Sequence, residues 1–199
     1  MYSDRSGLVL GFHGCDAEIR DNVIAGTEQL KGSSNSYDWL GNGIYFWENS
    51  PARALDFAEN LKINAEKRTQ QIKTPAVVGA IIDLQHCLDL TEFKNLQILK
   101  SGYETLKRVL DLEGLQLPEN KNIGASNDLL MRHLDCAVIE TIHTYNWPGN
   151  KYDTVRGMFI EGDFPYPNAG FREKNHIQIC VRNPNCIKGY FLPRSLVKF

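Results

Sequence analysis

Three stretches of this chain combine residue types that can hold and activate a small ligand. In Gly11-Phe12-His13-Gly14 a histidine closes an apolar run and is followed by glycine. Glycine there lets a ligand approach the main chain, so that an N–H and a C=O can pair with an amide, while the imidazole can donate to a sugar hydroxyl. A strand-end histidine satisfied by a backbone group would look the same. In Gly41-Asn42-Gly43-Ile44-Tyr45-Phe46 two glycines one residue apart lead into an aromatic segment. Gly43 would permit a tight approach to a flat ligand, and Tyr45 could present its ring to a planar heteroaromatic. A hairpin glycine pair with a core tyrosine is the commoner origin of such a pattern, and the spacing is not that of a Rossmann turn. In Asn175-His176-Ile177-Gln178-Ile179-Cys180-Val181, strand alternation places His176, Gln178 and Cys180 on one face and the aliphatic residues on the other. The aliphatic face is core. The polar face lines a site or is the outer face of a half-exposed strand. Glu161, with Arg156 five residues before it, offers an acid–base or acceptor-binding pair, or a surface ion pair. The loop from Phe164 to Arg172 carries Tyr166 and Phe171, which could stack on a base or ring, and Arg172, which could meet a phosphate.

These residues need elements to position them. Gly7 to Gly14 reads as a short buried strand, and Asp16 caps a helix to about Ala25 with Ile19, Val23 and Ile24 on one face. Gly32 to Gly43 is a Gly/Ser/Asn-rich loop with two exposed aromatics, Tyr37 and Trp39. Ile44 to Trp47 is a short strand. Ser50-Pro51 opens a helix to about Lys67, with Ala54, Phe57, Ala58 and Leu61 as its inner stripe. Ala76 to Leu84 is β-branched, nearly continuous and central in a sheet. Leu90 to Leu112 is one or two helices with Leu106, Val109 and Leu110 inward. Ser126 or Asn127 caps another helix, with Leu130, Leu134, Val138 and Ile142 on one face. Strands follow at Met158 to Glu161, His176 to Val181 and Ile187 to Leu192. The sheet must therefore be assembled from sequence-distant pieces around a helical stretch from about Leu90 to Trp147, and the fold class expected is α+β in a single domain.

Bulk composition narrows the classes. The 199 residues are 42% hydrophobic and 23% charged with a net charge of −2, an ordinary globular balance without a strong field for nucleic acid or anionic lipid. The five cysteines are scattered with no CxxC pair, and no HxxxH or HExxH spacing occurs. Neither a disulfide framework nor a metal site is expected. With no signal-like N-terminus and no membrane-length apolar run, a cytoplasmic protein is expected.

In order and spacing, His13-Gly14, Gly41 to Phe46 with the following Trp47-Glu48-Asn49-Ser50, and the strand around His176 and Gln178 resemble the ADP-ribosyltransferase superfamily. The resemblance is to its poly(ADP-ribose) polymerase and diphtheria-toxin-like branch, and covers about Gly7 to Phe57 and Asn175 to Tyr190. It implies a split antiparallel β-sheet with flanking helices, the stretch 90–147 being a helical insertion, and NAD as co-substrate without a metal. It further implies that His13 hydrogen-bonds the ribose and that the Gly14 backbone pairs with the nicotinamide carboxamide. Tyr45 would stack on the ring, Phe57 would form the other wall, and Ser33 to Asp38 would fold over the adenosine half. Gly43 and His176 join the NAD-binding set. Where the family usually has glutamate, the best-aligned residue here is Gln178, which can hold a hydroxyl but cannot act as a base at neutral pH. Glu161 is the candidate base from elsewhere.

The activity implied is mono-ADP-ribosyl transfer to a macromolecule, protein or nucleic acid. Small bacterial members of the family are often toxins or phage-defence effectors, which would bring an antitoxin or inhibitor partner. The missing glutamate supports an alternative, a catalytically inactive NAD- or ADP-ribose-binding module. A relative acting on RNA phosphate ranks last, since no dense Arg/Lys cluster surrounds the motifs.

Overall fold

The computed structural model describes residues 8–63, 72–122, 128–145 and 151–194. The chain runs β1 (Leu8–Asp16), α1 (Ala17–Ala25), β2 (Ile44–Glu48), α2 (Pro51–Ile63), β3 (Pro75–Asp83), β4 (Cys87–Asp89), α3 (Phe93–Glu113), β5 (Asn120–Lys121), β6 (Met131–Arg132), α4 (His133–Thr144), β7 (Thr154–Phe159), β8 (His176–Val181), a 3-10 turn at Pro184–Cys186 and β9 (Ile187–Phe191). Seven strands form one sheet in the order β4-β7-β8-β2-β1-β3-β9, while β5 and β6 pair separately. Of the sheet's registered pairs, β4–β7 is parallel and β1–β2, β1–β3, β3–β9 and β7–β8 are antiparallel. The class is α+β with a mixed, largely antiparallel sheet. Two compact units divide the residues, one of 1–31, 46–84 and 184–199 and the other of 32–45 and 85–183.

In the first unit β1 pairs with β3 along its whole length, from Leu8↔Asp83 to Asp16↔Pro75. The glycines and alanines of these strands admit close neighbours. A Cβ on Gly14 would collide with the carbonyl oxygen of Ala54, so α2 lies directly on the β1 backbone. Ala54 and Ala58, both fully buried, form that helix face. Beside it Phe12, Trp47 and Ala54 make a core with Val77 and Phe191, the two phenylalanine rings meeting edge-on at 5.9 Å. Asp16 caps α1 as expected, its Oδ1 accepting from the Glu18 N–H at 3.1 Å. Its Oδ2 accepts from the Thr74 N–H at 3.0 Å, and these backbone donors hold its carboxyl below the usual range. Val23 is buried on α1, but Ile24, expected to share its face, is 36% exposed. The expected end of α2 near Lys67 lies outside the described residues.

In the second unit Leu40, Leu88, Leu106, Val138, Ile139, Ile142, Val155 and Cys180 belong to one buried cluster. α3 and α4 pack closely at Gly102, where a Cβ would meet Ile142. Ser126 and Asn127, expected to cap the last helix, lie outside the described residues. α4 itself begins at His133, leaving Leu130 outside it, because its first free N–H groups find a distant acceptor: Asn120 Oδ1 takes those of Leu134 at 2.9 Å and Asp135 at 3.2 Å. β7 starts at Thr154 and ends at Phe159, four residues earlier than the expected start at Met158, because Thr154 to Phe159 is the stretch in register with β8. It carries Arg156, 2% exposed, whose Nη1 donates to both Asp89 carboxylate oxygens at 3.1 Å and to the Thr91 hydroxyl at 3.2 Å. Burial acts against the Asp89 charge, but the Thr91 and Arg156 hydrogen bonds outweigh it and hold that carboxyl low.

His143, 4% exposed on α4, donates from Nδ1 to the Ile139 carbonyl at 2.8 Å and packs edge-on against Tyr152. Burial, and then the nearby Arg182, lower its pKa from the ordinary 6.5. The unfolded chain thus binds a proton that the folded chain resists, and the stability contributed by neutral His143 is lost as pH falls below about 6.5. His143→Leu is expected to shrink the drop in urea midpoint between pH 7 and pH 5, a comparison made directly by urea unfolding at both pH values.

Candidate functional site

In the first unit, the β1 edge around Gly14 has a defined polarity. Leu10 accepts the Asn49 N–H at 2.9 Å, so by alternation the N–H and C=O of Leu10, Phe12 and Gly14 all point to the β2 side. The register with β2 consists of Gly11↔Glu48 and Phe12↔Trp47 and ends before Gly14. The Gly14 peptide groups therefore face a side where the ladder has stopped, while the absent Cβ makes room for α2. His13, on the opposite face of the strand from Gly14, is half-buried with its ring 5.8 Å from Phe46. Phe57 leans on Trp47 at 4.9 Å and remains 38% exposed. A groove of about 500 Å³ opens at the start of α2, lined by Arg20, Pro51, Ala52, Leu55, Val77, Leu192 and Pro193. None of the residues predicted for the site is among those lining it.

In the second unit the loop 32–43 is folded tightly. Ser33 and Gly43 exchange backbone hydrogen bonds at 2.8 and 3.0 Å, and Asp38 Oδ2 accepts the Asn35 N–H at 2.9 Å. Burial raises the Asp38 pKa against the pull of its Ser33 and Asn35 hydrogen bonds. The loop then runs along β8. Trp39 stacks near His176 at 6.1 Å, and Leu40 lies against Gly157, the register partner of Gln178. Farther on, the Gly41 carbonyl accepts from Cys180 Sγ at 3.6 Å. Gly43 follows so closely that a Cβ would lie 2.5 Å from Cys180 Sγ and 2.7 Å from the Val181 carbonyl oxygen. Tyr45 secures the turn: its hydroxyl donates to the Gly41 carbonyl at 2.7 Å and accepts the Leu40 N–H at 2.8 Å. Burial pushes this phenol well above its ordinary pKa, so it stays protonated. The tyrosine predicted to stack on a ligand is thus also a clasp for its own loop.

The polar face of β8 is buried rather than half-exposed, with His176 at 7% and Gln178 at 8%, whereas Ile177 on the other face is only half-buried. Ile179 and Val181 on that other face are core as expected, so both faces of the strand are largely covered. Trp39, expected to be exposed, is half-buried: it donates from Nε1 to the Leu130 carbonyl at 2.9 Å and packs on Phe159 at 4.7 Å, under the Arg132 guanidinium at 4.5 Å. Tyr37 is likewise half-buried, edge-on to His133 at 5.8 Å. His176 donates from Nδ1 to the Lys174 carbonyl at 2.6 Å, with Glu161 Oε2 3.8 Å away. Glu161 lies beyond the end of β7 and its neighbour is His176. Arg156, predicted as its partner, is buried on Asp89.

The loop 164–171 presents Phe164, Tyr166 and Phe171 at 55%, 57% and 66% exposure. Arg172, expected to be available for a phosphate, donates to the Gly162 carbonyl at 2.5 Å and to Asp128 at 3.2 Å, and lies 4.4 Å over the Phe164 ring. Sequence reasoning missed Glu140 and Arg182, which bind the backbone of Asn42 from α4 and from the end of β8. No local pattern marks a side chain that reaches a backbone across 98 or 140 residues. Among the described residues, no group of three or more His, Cys, Asp or Glu is placed to hold a metal, and no helix is long and apolar enough to cross a membrane.

No family model matches the chain and no solved structure matches it. Among curated proteins it is similar to an uncharacterized protein of Methanocaldococcus jannaschii, 23% identical over 207 residues and spanning 94% of this chain and 90% of that one.

Two substitutions test how far Tyr45 and Gly14 serve packing. Tyr45→Phe keeps the ring but strands the Leu40 N–H, and is expected to lower unfolding free energy by about 1–2 kcal/mol. Gly14→Ala drives a methyl into the α2 backbone and is expected to cost about 1–3 kcal/mol or more. Urea denaturation of both variants against the parent measures each.

Proposed function

We propose that this chain is an NAD-dependent mono-ADP-ribosyltransferase, with the split antiparallel sheet of that superfamily and α3 and α4 as its helical insertion. The observation that carries the proposal is Gln178, 8% exposed on a covered strand face, on the strand where the family places its third site residue. A polar side chain on a covered strand face that takes no part in the aliphatic core is a candidate to meet a ligand. One feature supports the same reading. The Gly14 N–H and C=O lie beyond the end of the β1–β2 ladder, as a carboxamide partner requires.

The resemblance gives His13 and Gln178 the ribose hydroxyls, Gly14 the nicotinamide carboxamide, and Tyr45 and Phe57 the nicotinamide ring. Gly43, to which the resemblance gives the close approach of the ligand, has its own side-chain space filled by Cys180 and Val181, and His176 is assigned to the pocket wall. The bond between ribose C1′ and the nicotinamide nitrogen breaks heterolytically. Nicotinamide takes the electron pair and leaves neutral, an oxocarbenium-like ribose forms, and an acceptor oxygen or nitrogen attacks C1′ and then loses its proton. Gln178 stabilises charge by orientation alone, so rate enhancement comes from positioning and electrostatics. The carboxylate of Glu161, beside His176, is the group proposed to take the acceptor's proton. The acceptor is a macromolecule, protein or nucleic acid, met in the cytoplasm. A toxin or defence role with an inhibitor partner accords with the family and the chain's size. A second reading, an inactive NAD- or ADP-ribose-binding module, is favoured by the amide at 178, which cannot serve as a base.

The test is incubation with radiolabelled NAD and cell lysate, with nuclease or protease digestion of the product and a parallel assay of nicotinamide release. Transfer of label is expected, with Gln178→Ala lowering nicotinamide release about 100-fold and Gln178→Glu retaining it. Saturable NAD binding without release would instead establish the binding module, and absence of NAD binding would refute both.

A further inference from the structure

The Gly41-Asn42-Gly43 turn is held by two charged side chains that none of the motifs contains. Glu140, on α4, accepts the Asn42 N–H through Oε1 at 2.8 Å. Arg182, one residue beyond β8, donates from Nη1 to the Asn42 carbonyl at 2.9 Å. The two are joined to each other, Nη1 to Oε1 at 2.5 Å and Nη2 to Oε2 at 3.1 Å. Both backbone polar groups of Asn42 are thus taken by one ion pair whose side chains are 18% and 28% exposed. The fit is close: Gly41 has φ +76°, and a Cβ there would collide with Glu140 Oε1 and meet Ile139 Cγ2 at 2.9 Å. Burial raises the Glu140 pKa, but the hydrogen bonds from Arg182 and Asn42 outweigh it, so the carboxylate stays charged at neutral pH.

The consequence reaches Tyr45. Its hydroxyl is bonded to Leu40 and Gly41, so the position of the phenol depends on the path of the turn. Arg182 directly follows the strand of Gln178, which connects the same clamp to the second predicted site residue. An ion pair needed only for stability could be made between side chains alone. Here each partner spends a hydrogen bond on the peptide of one loop residue.

Resting on the ADP-ribosyltransferase reading, we propose that Glu140 and Arg182 are positioning residues for NAD, holding the Gly41–Gly43 turn and through it Tyr45. Neither touches the reacting atoms. Removing the acceptor for the Asn42 N–H is expected to loosen the nicotinamide end and weaken NAD binding more than it weakens the fold.

The test measures NAD dissociation constants by equilibrium dialysis and thermal midpoints for the full chain, for Glu140→Ala, for Glu140→Gln, and for the exchange Glu140→Arg with Arg182→Glu. The exchange restores an ion pair but takes the carboxylate away from the Asn42 N–H, whereas glutamine keeps an acceptor there. Glu140→Ala and the exchange are expected to weaken NAD binding about tenfold, the size of one charge-assisted hydrogen bond. The exchange should recover thermal stability without recovering affinity, and Glu140→Gln should recover most of the affinity. Where nicotinamide release is measurable, KM should rise with little change in kcat. Affinity that is unchanged in all variants, or that follows the thermal midpoint through the exchange, overturns the proposal. Should Glu140→Ala fail to fold, the glutamine variant and the exchange decide alone. Failure of the parent chain itself to bind NAD is a separate outcome that removes the underlying reading and the proposal with it.

Discussion

The backbone of residues 40–43 lies against β8 with no space for a side chain at Gly43, and the rest of the candidate site depends on that contact. A Cβ at Gly43 would press on Cys180 and Val181. Because the turn is this close, the Gly41 carbonyl can meet Cys180 and the Tyr45 hydroxyl together, and Trp39 can reach the ring of His176. The same contact covers the polar face of β8. Without it His176 and Gln178 would be solvated side chains on an outer strand face, and nothing would mark them as a site.

Burying polar groups costs free energy unless they are paired, and the second unit shows how that cost is met. Arg156, almost wholly buried, shares its charge with Asp89 and Thr91. His143 stays neutral and gives its Nδ1 proton to the backbone. Glu140 and Arg182 neutralise one another and serve Asn42 as well. Among the described residues the second ring nitrogen of His143 is an exception, buried with no partner.

In the first unit the governing constraint is the approach of α2 to β1. Ala54 and Ala58 on the helix and Gly14 on the strand are all small, and the gap they leave is filled by backbone. Gly14 thus has a structural reason to be glycine that is independent of any ligand. Its N–H and C=O, directed along the sheet and not toward the helix, are left for the role proposed for them. The two demands act on different atoms of one residue and are compatible.

Much of the element pattern was legible in the residues. Asp16 before a helix, Ser50-Pro51 before another, and the β-branched run from Ala76 to Ile82 depend on local chemistry, and each element formed where expected. The α+β class and the alternation along His176 to Val181 follow from the same local periodicities. What failed were inferences about exposure and partners. Ile24 and Trp39 were assigned the wrong environment, α4 takes its cap from Asn120, and Arg156 pairs with Asp89 instead of Glu161. The motifs single out His13, Gly14, Gly43, Tyr45, His176 and Gln178 as candidates, because backbone freedom, aromatic rings and strand alternation are properties of a residue and its near neighbours. They could not show that Tyr45 clasps its own loop or that Glu140 and Arg182 hold it. Nor could they show that a polar strand face is covered, since contacts across about a hundred residues exist only once the chain has folded and leave no periodic trace in sequence.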